Sequence, residues 1–256
     1  MKRPRAIVFS GYGLNCENET QFALESAGAE AEIVHLATLI ESPRLLVRYQ
    51  IAVLPGGFSY GDDTGSGKAY GRRLARHLGE AMQRFLEKDT LLLGICNGFQ
   101  ILTNTGMLPG ALIANEKARF LCRWVDLEVT GQSPWLAGLS SFSLPIAHGE
   151  GKYFDTEQEL DALQKEGRIA LSYTEGEMTK HFSLPANPNG SLRDIAGITA
   201  EGGRVLGLMP HPERGSFFTQ LPHWTLLRQE CYQSGQKVPY YAAGIKIFQN
   251  AVNYFH

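Results

Sequence analysis

A cysteine bracketed by glycines at minus two and plus two, G94-I-C-N-G98, directly follows the apolar run T90-L-L-L93. A cysteine that only fills space needs no such bracket. A strand that ends in a nucleophile and reverses at once into a helix does need it, because neighbouring side chains would clash at the turn. G-x-C-x-G is the cysteine counterpart of the G-x-S-x-G elbow, and it makes Cys96 a candidate nucleophile. The helix continuing through Phe99, Ile101 and Leu102 would point its positive dipole end at a thiolate there. Cys16, Cys122 and Cys231 have no comparable setting and read as buried packing cysteines, the ordinary fate of free thiols.

A nucleophilic thiol needs a base, and G207-L-M-P-H-P-E-R214 offers one. His211 and Glu213 lie two apart after an apolar run, and alternate residues of an extended segment face the same side. Pro210 and Pro212 restrict the backbone around them. The carboxylate can then orient the imidazole while the imidazole serves the thiol. The acid follows the histidine closely, whereas in α/β-hydrolases it precedes the histidine, so a hydrolase of that kind is disfavoured. A third stretch, P55-G-G-F-S-Y-G-D62, follows another apolar run, and its paired glycines let backbone N–H groups approach a developing oxyanion.

These stretches must be carried by elements that end at one edge. Short aliphatic runs at Arg5 to Phe9, Glu32 to Leu36, Gln50 to Leu54 and Thr90 to Ile95 alternate with helical patterns at Glu19 to Ala27, Ser42 to Tyr49 and Lys68 to Glu87. That alternation predicts βαβ units and a parallel sheet, with the site at its carboxyl edge. In the last helix Leu74, Leu78, Ala81, Met82 and Phe85 repeat at helical spacing, leaving Arg72, Arg73 and Arg76 on a solvated face. The second half differs, with strand-like Phe120 to Val129, Leu144 to His148, Ile169 to Tyr173, Asp194 to Thr199 and Arg204 to Met209, few helices between them, and a turn at N187-P-N-G-S191. It predicts antiparallel additions and two closing helices, near Trp224 to Gln233 and Ala243 to Tyr254. The expected fold is α/β: a flavodoxin-like, open, mostly parallel sheet with helices on both faces, in a single domain over residues 1–256.

The 256 residues carry 24 basic and 26 acidic side chains, a balance with no global field to attract nucleic acid or an anionic membrane. The four cysteines form no C-x-x-C pair, which speaks against a zinc site or a disulfide framework and for a reducing, cytoplasmic setting. The apolar stretch Ala6 to Phe9 is too short for a signal sequence, and no run approaches the ~20 apolar residues of a membrane span.

Taken together, G11-Y-G-L-N-C-E-N-E19, P55-G-G-F-S-Y-G-D62, G94-I-C-N-G-F-Q-I-L102, P145-I-A-H-G-E-G-K-Y153, N187-P-N-G-S191 and G207-L-M-P-H-P-E-R214 make the sequence resemble the class I, or triad, glutamine amidotransferases. Within that class it is most similar to the amidotransferase subunits of phosphoribosylformylglycinamidine synthases. The resemblance implies Cys96 as nucleophile, His211 as base and acid, Glu213 as its orienting partner, and an oxyanion hole from the N–H groups of Gly57 and Asn97. It places Gly56, Phe58, Gln100, His148, Gly149 and Glu150 around the bound glutamine, although His148 equally fits a structural histidine closing a turn. It also implies a separate synthetase subunit that uses ATP and magnesium, leaves room for a small accessory subunit, and predicts no cofactor or metal on this chain, which has no G-x-x-x-x-G-K-[ST] loop. The sequence departs from the family pattern at D63-T-G-S-G67 and in an added segment near 215–240. Two other readings remain open: a glutaminase serving a different synthetase, and a non-catalytic binding or regulatory subunit.

Overall fold

A computed structural model describes residues 3–62 and 65–256; Asp63 and Thr64 of the departing D63-T-G-S-G67 stretch lie outside the described residues. The first half alternates strands and helices in chain order: β1 (Arg5–Ser10), α1 (Glu17–Ala27), β2 (Glu30–His35), α2 (Leu36–Glu41), β3 (Ile51–Leu54), α3 (Lys68–Leu86), β4 (Leu91–Ile95) and α4 (Asn97–Thr105). The second half adds β5 (Ala111–Ile113), β6 (Leu121–Val129), β7 (Ser141–His148), β8 (Lys152–Phe154), α5 (Glu157–Lys165), β9 (Ile169–Thr174), α6 (Glu177–Phe182), β10 (Ile195–Ala200) and β11 (Val205–Leu208). Helices α7 (Trp224–Gln233) and α8 (Ala243–Asn253) close the chain.

One nine-stranded sheet runs β2-β1-β3-β4-β11-β10-β9-β6-β7. The strands from β2 to β11 are mutually parallel, and β10, β9, β6 and β7 continue the sheet antiparallel. Strands β3, β4 and β11 are buried along their whole length, as unbroken aliphatic runs in a two-sided parallel sheet should be. The chain moves from β1 outward to β2 but from β3 to β4 in the opposite direction, so right-handed crossovers send α1 and α3 to opposite faces. Helix α8 packs beside α1, and α4 beside α3. On α3 the predicted stripe of Leu74, Leu78, Ala81, Met82 and Phe85 is buried, and Arg72, Arg73 and Arg76 are exposed.

Two expectations of the sequence are corrected. The helix expected over Ser42 to Tyr49 is instead α2 followed by a 3-10 turn at Pro43–Arg48. Proline 43 lacks an N–H and drives Ser42 out of the helical region, to φ −137° and ψ 69°, which breaks the helix. The second half is less helix-poor than expected: α5 is capped by the Thr156 side chain, which accepts from Glu159 N–H, and α6 follows β9. Two short strands, β5 and β8, form a separate antiparallel pair. Within the segment near 215–240, α7 has no buried residue. No helix among the described residues is long and apolar enough to cross a membrane.

Candidate active site

The register of the parallel half sets the site. Leu54, at the end of β3, pairs with Gly94 of β4, and Leu208, at the end of β11, pairs with Ile95. Three adjacent strands therefore finish level with one another, and each runs directly into one of the three motifs. Cys96 sits at the β4–α4 junction with φ 50° and ψ −105°, a backbone state costly for any residue with a Cβ and typical of functional turns. Its N–H donates to Leu208 C=O at 2.8 Å and its C=O accepts from Gln100 N–H at 3.1 Å, so the strain is held from both sides.

The bracketing glycines are required by contact. A Cβ on Gly94 would fall 2.8 Å from the Gly98 carbonyl oxygen and 2.6 Å from Leu102, and one on Gly98 would overlap the Leu54 carbonyl oxygen. Gly56 is similarly confined, since its Cβ would lie 2.7 Å from the His211 ring. The Asn97 N–H opens α4 and has no acceptor within the helix.

His211 and Glu213 meet as expected but by a different local geometry. The strand stops at Leu208, and Pro212–Arg214 forms a 3-10 turn, so the pairing comes from the turn and not from alternation along an extended strand. Proline 212 at the first turn position fixes it. Nδ1 of His211 lies 2.6 Å from Oε1 of Glu213, and both side chains are buried. Burial opposes a charge on His211, but Glu213, Cys96 and the neighbouring Cys16 more than offset it and hold its pKa well above the usual 6.5. Nε2 of His211 is buried and has no hydrogen-bond partner among the described residues, which leaves it facing the site for a reacting group.

Strand β7 lies five positions from β4 in the sheet order, a separation of roughly 24 Å in a flat sheet. Yet Cys96 Sγ lies 3.8 Å from Ala147 C=O, and His211 N–H donates to Pro145 C=O at 2.8 Å. The antiparallel half curls back, bringing H148-G-E-G151 to the thiol. His148 is 2% exposed and its Nδ1 lies 3.0 Å from Asn115 Oδ1. Burial, with the charge of His211, pushes its pKa down to about 3, so this imidazole is neutral and Nδ1 bonds inside the protein. Its structural reading is the one these contacts favour.

The remaining residues of the expected glutamine pocket divide by what they touch. Gln100 donates from Nε2 to the Glu150 C=O and accepts at Oε1 from Asn97 Nδ2, so its amide ties the elbow helix to the 148–151 segment. Asn97 Oδ1 accepts from Ser59 N–H, and Glu150 Oε2 accepts from Ser66 N–H at 3.0 Å. Gly149 C=O accepts from Asn115 N–H. Phe58 is 42% exposed and in ring contact with Phe120, forming a rim and not a floor. Three residues at this edge escaped the sequence reading. Cys16 lies against His211 and Arg214; Asn115 clamps His148 and Gly151; and Tyr173 is buried with its hydroxyl inside the protein. The N-C-E-N phrase around Cys16 belongs to one of the motifs that carry the resemblance, whereas Tyr173 has no signal in its local sequence.

A glycine-backed thiol, a buried imidazole–carboxylate pair and a glycine loop at one sheet edge are the groups that a cysteine amidohydrolase site of the amidotransferase type requires. A sequence profile of the CobB/CobQ-like glutamine amidotransferase domain matches residues 3–255, and the chain belongs to that family. It is 40% identical over 266 aligned residues to a Methanococcus maripaludis protein named phosphoribosylformylglycinamidine synthase subunit PurQ, covering 99% of this chain and 98% of that one. A Dehalococcoides mccartyi protein of the same name is 39% identical, with 99% and 98% covered. The solved structure of PurLQS from Thermotoga maritima contains a chain matching with TM-score 0.74 and 32% identity over the full length of both chains.

Proposed function

We propose that the chain is the glutaminase subunit of a phosphoribosylformylglycinamidine synthase in purine biosynthesis. It hydrolyses glutamine and passes the ammonia to a separate ATP-dependent synthetase subunit, in a complex that also holds a small accessory subunit. The observation that carries the catalytic part is the meeting of Cys96, the His211–Glu213 pair and the Pro55-Gly56-Gly57 loop at the ends of three adjacent parallel strands. The full-length relationship to proteins of that name carries the choice of synthetase.

The reaction follows from these groups. The Cys96 sulfur attacks the side-chain amide carbon of glutamine, and the N–H groups of Gly57 and Asn97 hold the oxyanion. Protonated His211 gives its proton to the leaving nitrogen, and ammonia departs from a glutamyl thioester. Water then attacks the thioester with His211 taking its proton, releasing glutamate and restoring the thiolate beside a protonated His211. Glu213 keeps Nδ1 protonated, so Nε2 is the nitrogen that exchanges protons. Gly56, Gly149 and Glu150 shape the pocket for the amino acid end of glutamine, Phe58 lines its mouth, and Gln100 and His148 hold these segments in place. ATP and magnesium belong to the synthetase, and the free thiols fit a cytoplasmic setting.

The test is complementation. A synthetase preparation that amidates formylglycinamide ribonucleotide with ammonia but not with glutamine should gain the glutamine-dependent reaction when this chain is added. No gain with a folded chain that binds the synthetase overturns the assignment.

A further inference from the structure

Cys16 is a buried thiol at the catalytic edge that the reaction above does not use. It is fully buried, where a cysteine serving only as a small hydrophobe would face apolar atoms. Its sulfur faces polar ones instead. Arg214 Nη2 donates to Cys16 Sγ at 2.9 Å, and Sγ lies 3.4 Å from Asn15 Oδ1. Arg214 also reaches back to the catalytic acid, with Nε 3.9 Å from Glu213 Oε1.

The sulfur also adjoins the imidazole. One donor atom each from Cys16, His211 and Glu213 all lie within 4.8 Å of one another. A Cβ built on Gly56 would lie 3.2 Å from Cys16 Sγ and 2.7 Å from His211 Cε1, so sulfur and ring edge flank the same glycine. The backbone holds this arrangement, because the N–H groups of Asn15 and Cys16 both donate to Gly56 C=O. Such donor spacing would also suit a metal ion, but the Arg214 cation against the sulfur and the His211–Glu213 hydrogen bond oppose one there.

We propose that Cys16 is a positioning residue of the glutaminase reaction, its sulfur anchored by Arg214 and set beside the Nδ1–Cε1 edge of the His211 ring, next to the point where Glu213 holds it. A ring tethered only at Nδ1 can pivot about that hydrogen bond. A second group packed beside that edge restricts the pivot and keeps Nε2, which has no hydrogen-bond partner among the described residues, directed toward the reacting sulfur. Small errors of aim at such a position cost large factors in rate. The proposal rests on the glutaminase reading.

The experiment measures steady-state glutamine hydrolysis by the assembled complex for wild type, Cys16→Ala, Cys16→Ser, Arg214→Met and the Cys16→Ser/Arg214→Met double variant, with Cys96→Ala in parallel. Cys16→Ala should lower kcat by about tenfold or more while KM stays within about twofold. Cys16→Ser should recover most of that loss, because a hydroxyl still accepts from Arg214 and still contacts the ring. Arg214→Met should lower kcat, and the double variant should be no worse than Arg214→Met alone, since both act through one contact. An unchanged kcat in Cys16→Ala, a raised KM at constant kcat, or equal loss in the alanine and serine variants overturns the proposal. If Cys16→Ala does not fold, the serine and Arg214 variants decide it: a wild-type kcat in Arg214→Met, or a loss in Cys16→Ser as large as that in Arg214→Met, overturns it. A wild type that releases no ammonia from glutamine defeats the glutaminase reading itself. A working wild type, an inactive Cys96→Ala and wild-type rates in the Cys16 variants defeat only the positioning role.

Discussion

Nδ1 of His211 donates a 2.6 Å hydrogen bond to Oε1 of Glu213 inside the protein, with the carboxylate side chain fully buried. The imidazole therefore has one committed nitrogen and one uncommitted nitrogen. A proton at Nδ1 is held by the acid, and Nε2 is left for chemistry, which fixes both the tautomer and the direction of proton transfer.

Replacing Glu213 by glutamine keeps the size and removes the charge. Glutamine turnover should fall by roughly 10²-fold or more, with a smaller effect on KM. The sign of the pH effect follows from the same contact: Glu213 raises the pKa of His211, so without its charge His211 loses its proton at lower pH. The descending limb of the kcat/KM profile should move to lower pH, and a limb that stays in place would contradict this origin of the shift.

Cys96→Ala should leave a folded subunit that joins its synthetase, because the elbow glycines remain and alanine is smaller than cysteine. Glutamine-dependent amidation should vanish, the uncatalysed amide hydrolysis being slower by ~10⁶-fold or more. Ammonium salt at alkaline pH should still support amidation near the wild-type rate. Loss of both activities in an assembled complex would place Cys96 in coupling or in the synthetase chemistry.

A glutamine-like electrophile should label Cys96 far faster than Cys16, Cys122 or Cys231, as read by peptide mass mapping. The contrast is with a small unselective alkylating agent, which should also reach Cys122, since the structure exposes that thiol and leaves Cys231 half-buried, where the sequence suggested buried packing cysteines. Preference of the glutamine analogue for Cys122 would show that reactivity follows exposure alone.

Gly98→Ala should be poorly folded or strongly destabilised, because its Cβ would overlap the Leu54 carbonyl oxygen and packed backbone cannot give way. Gly149→Ala should fold normally, since its Cβ meets nothing closer than Phe120 at 4.0 Å. Thermal denaturation of the two variants gives the comparison, and equal stability would contradict the close approach at the elbow.

His148 also predicts an acid effect on stability. Its folded pKa is about 3, below the ordinary 6.5, so the unfolded chain binds the proton first and this stability is lost as pH falls from 6.5 toward 3. Between pH 6.5 and 5 the contribution is about 2 kcal/mol. His211, with its raised pKa, stays protonated folded and unfolded over much of that window and adds little slope. Urea melts at the two pH values should show that difference shrinking in His148→Gln.

Local chemistry made the parallel half readable. The aliphatic runs ending at Leu54, Ile95 and Leu208 are strands because unbroken burial demands them, and the glycines and prolines that follow are there because backbones approach closely at those turns. The stripe from Leu74 to Phe85 needed only the helical period. Cys96, His211 and Glu213 were legible for the same reason, since each carries its constraint in adjacent residues.

Long-range closure decided the rest. Residues 145–151 reach the thiol because the sheet curls over its antiparallel half, a consequence of accumulated twist across β10, β9, β6 and β7 that no local pattern encodes. The same closure brings Glu150 to Gln100 and Asn115 to His148, while the shared edge of the parallel half brings Cys16, after β1, to Arg214, after β11, 198 positions along the chain. The sequence by itself determined which strand ends carry the glycine-bracketed thiol and the His-x-Glu pair. The tertiary structure determined which polar groups are already engaged by the protein and which remain unpartnered, because that depends on which distant segments meet when the sheet closes.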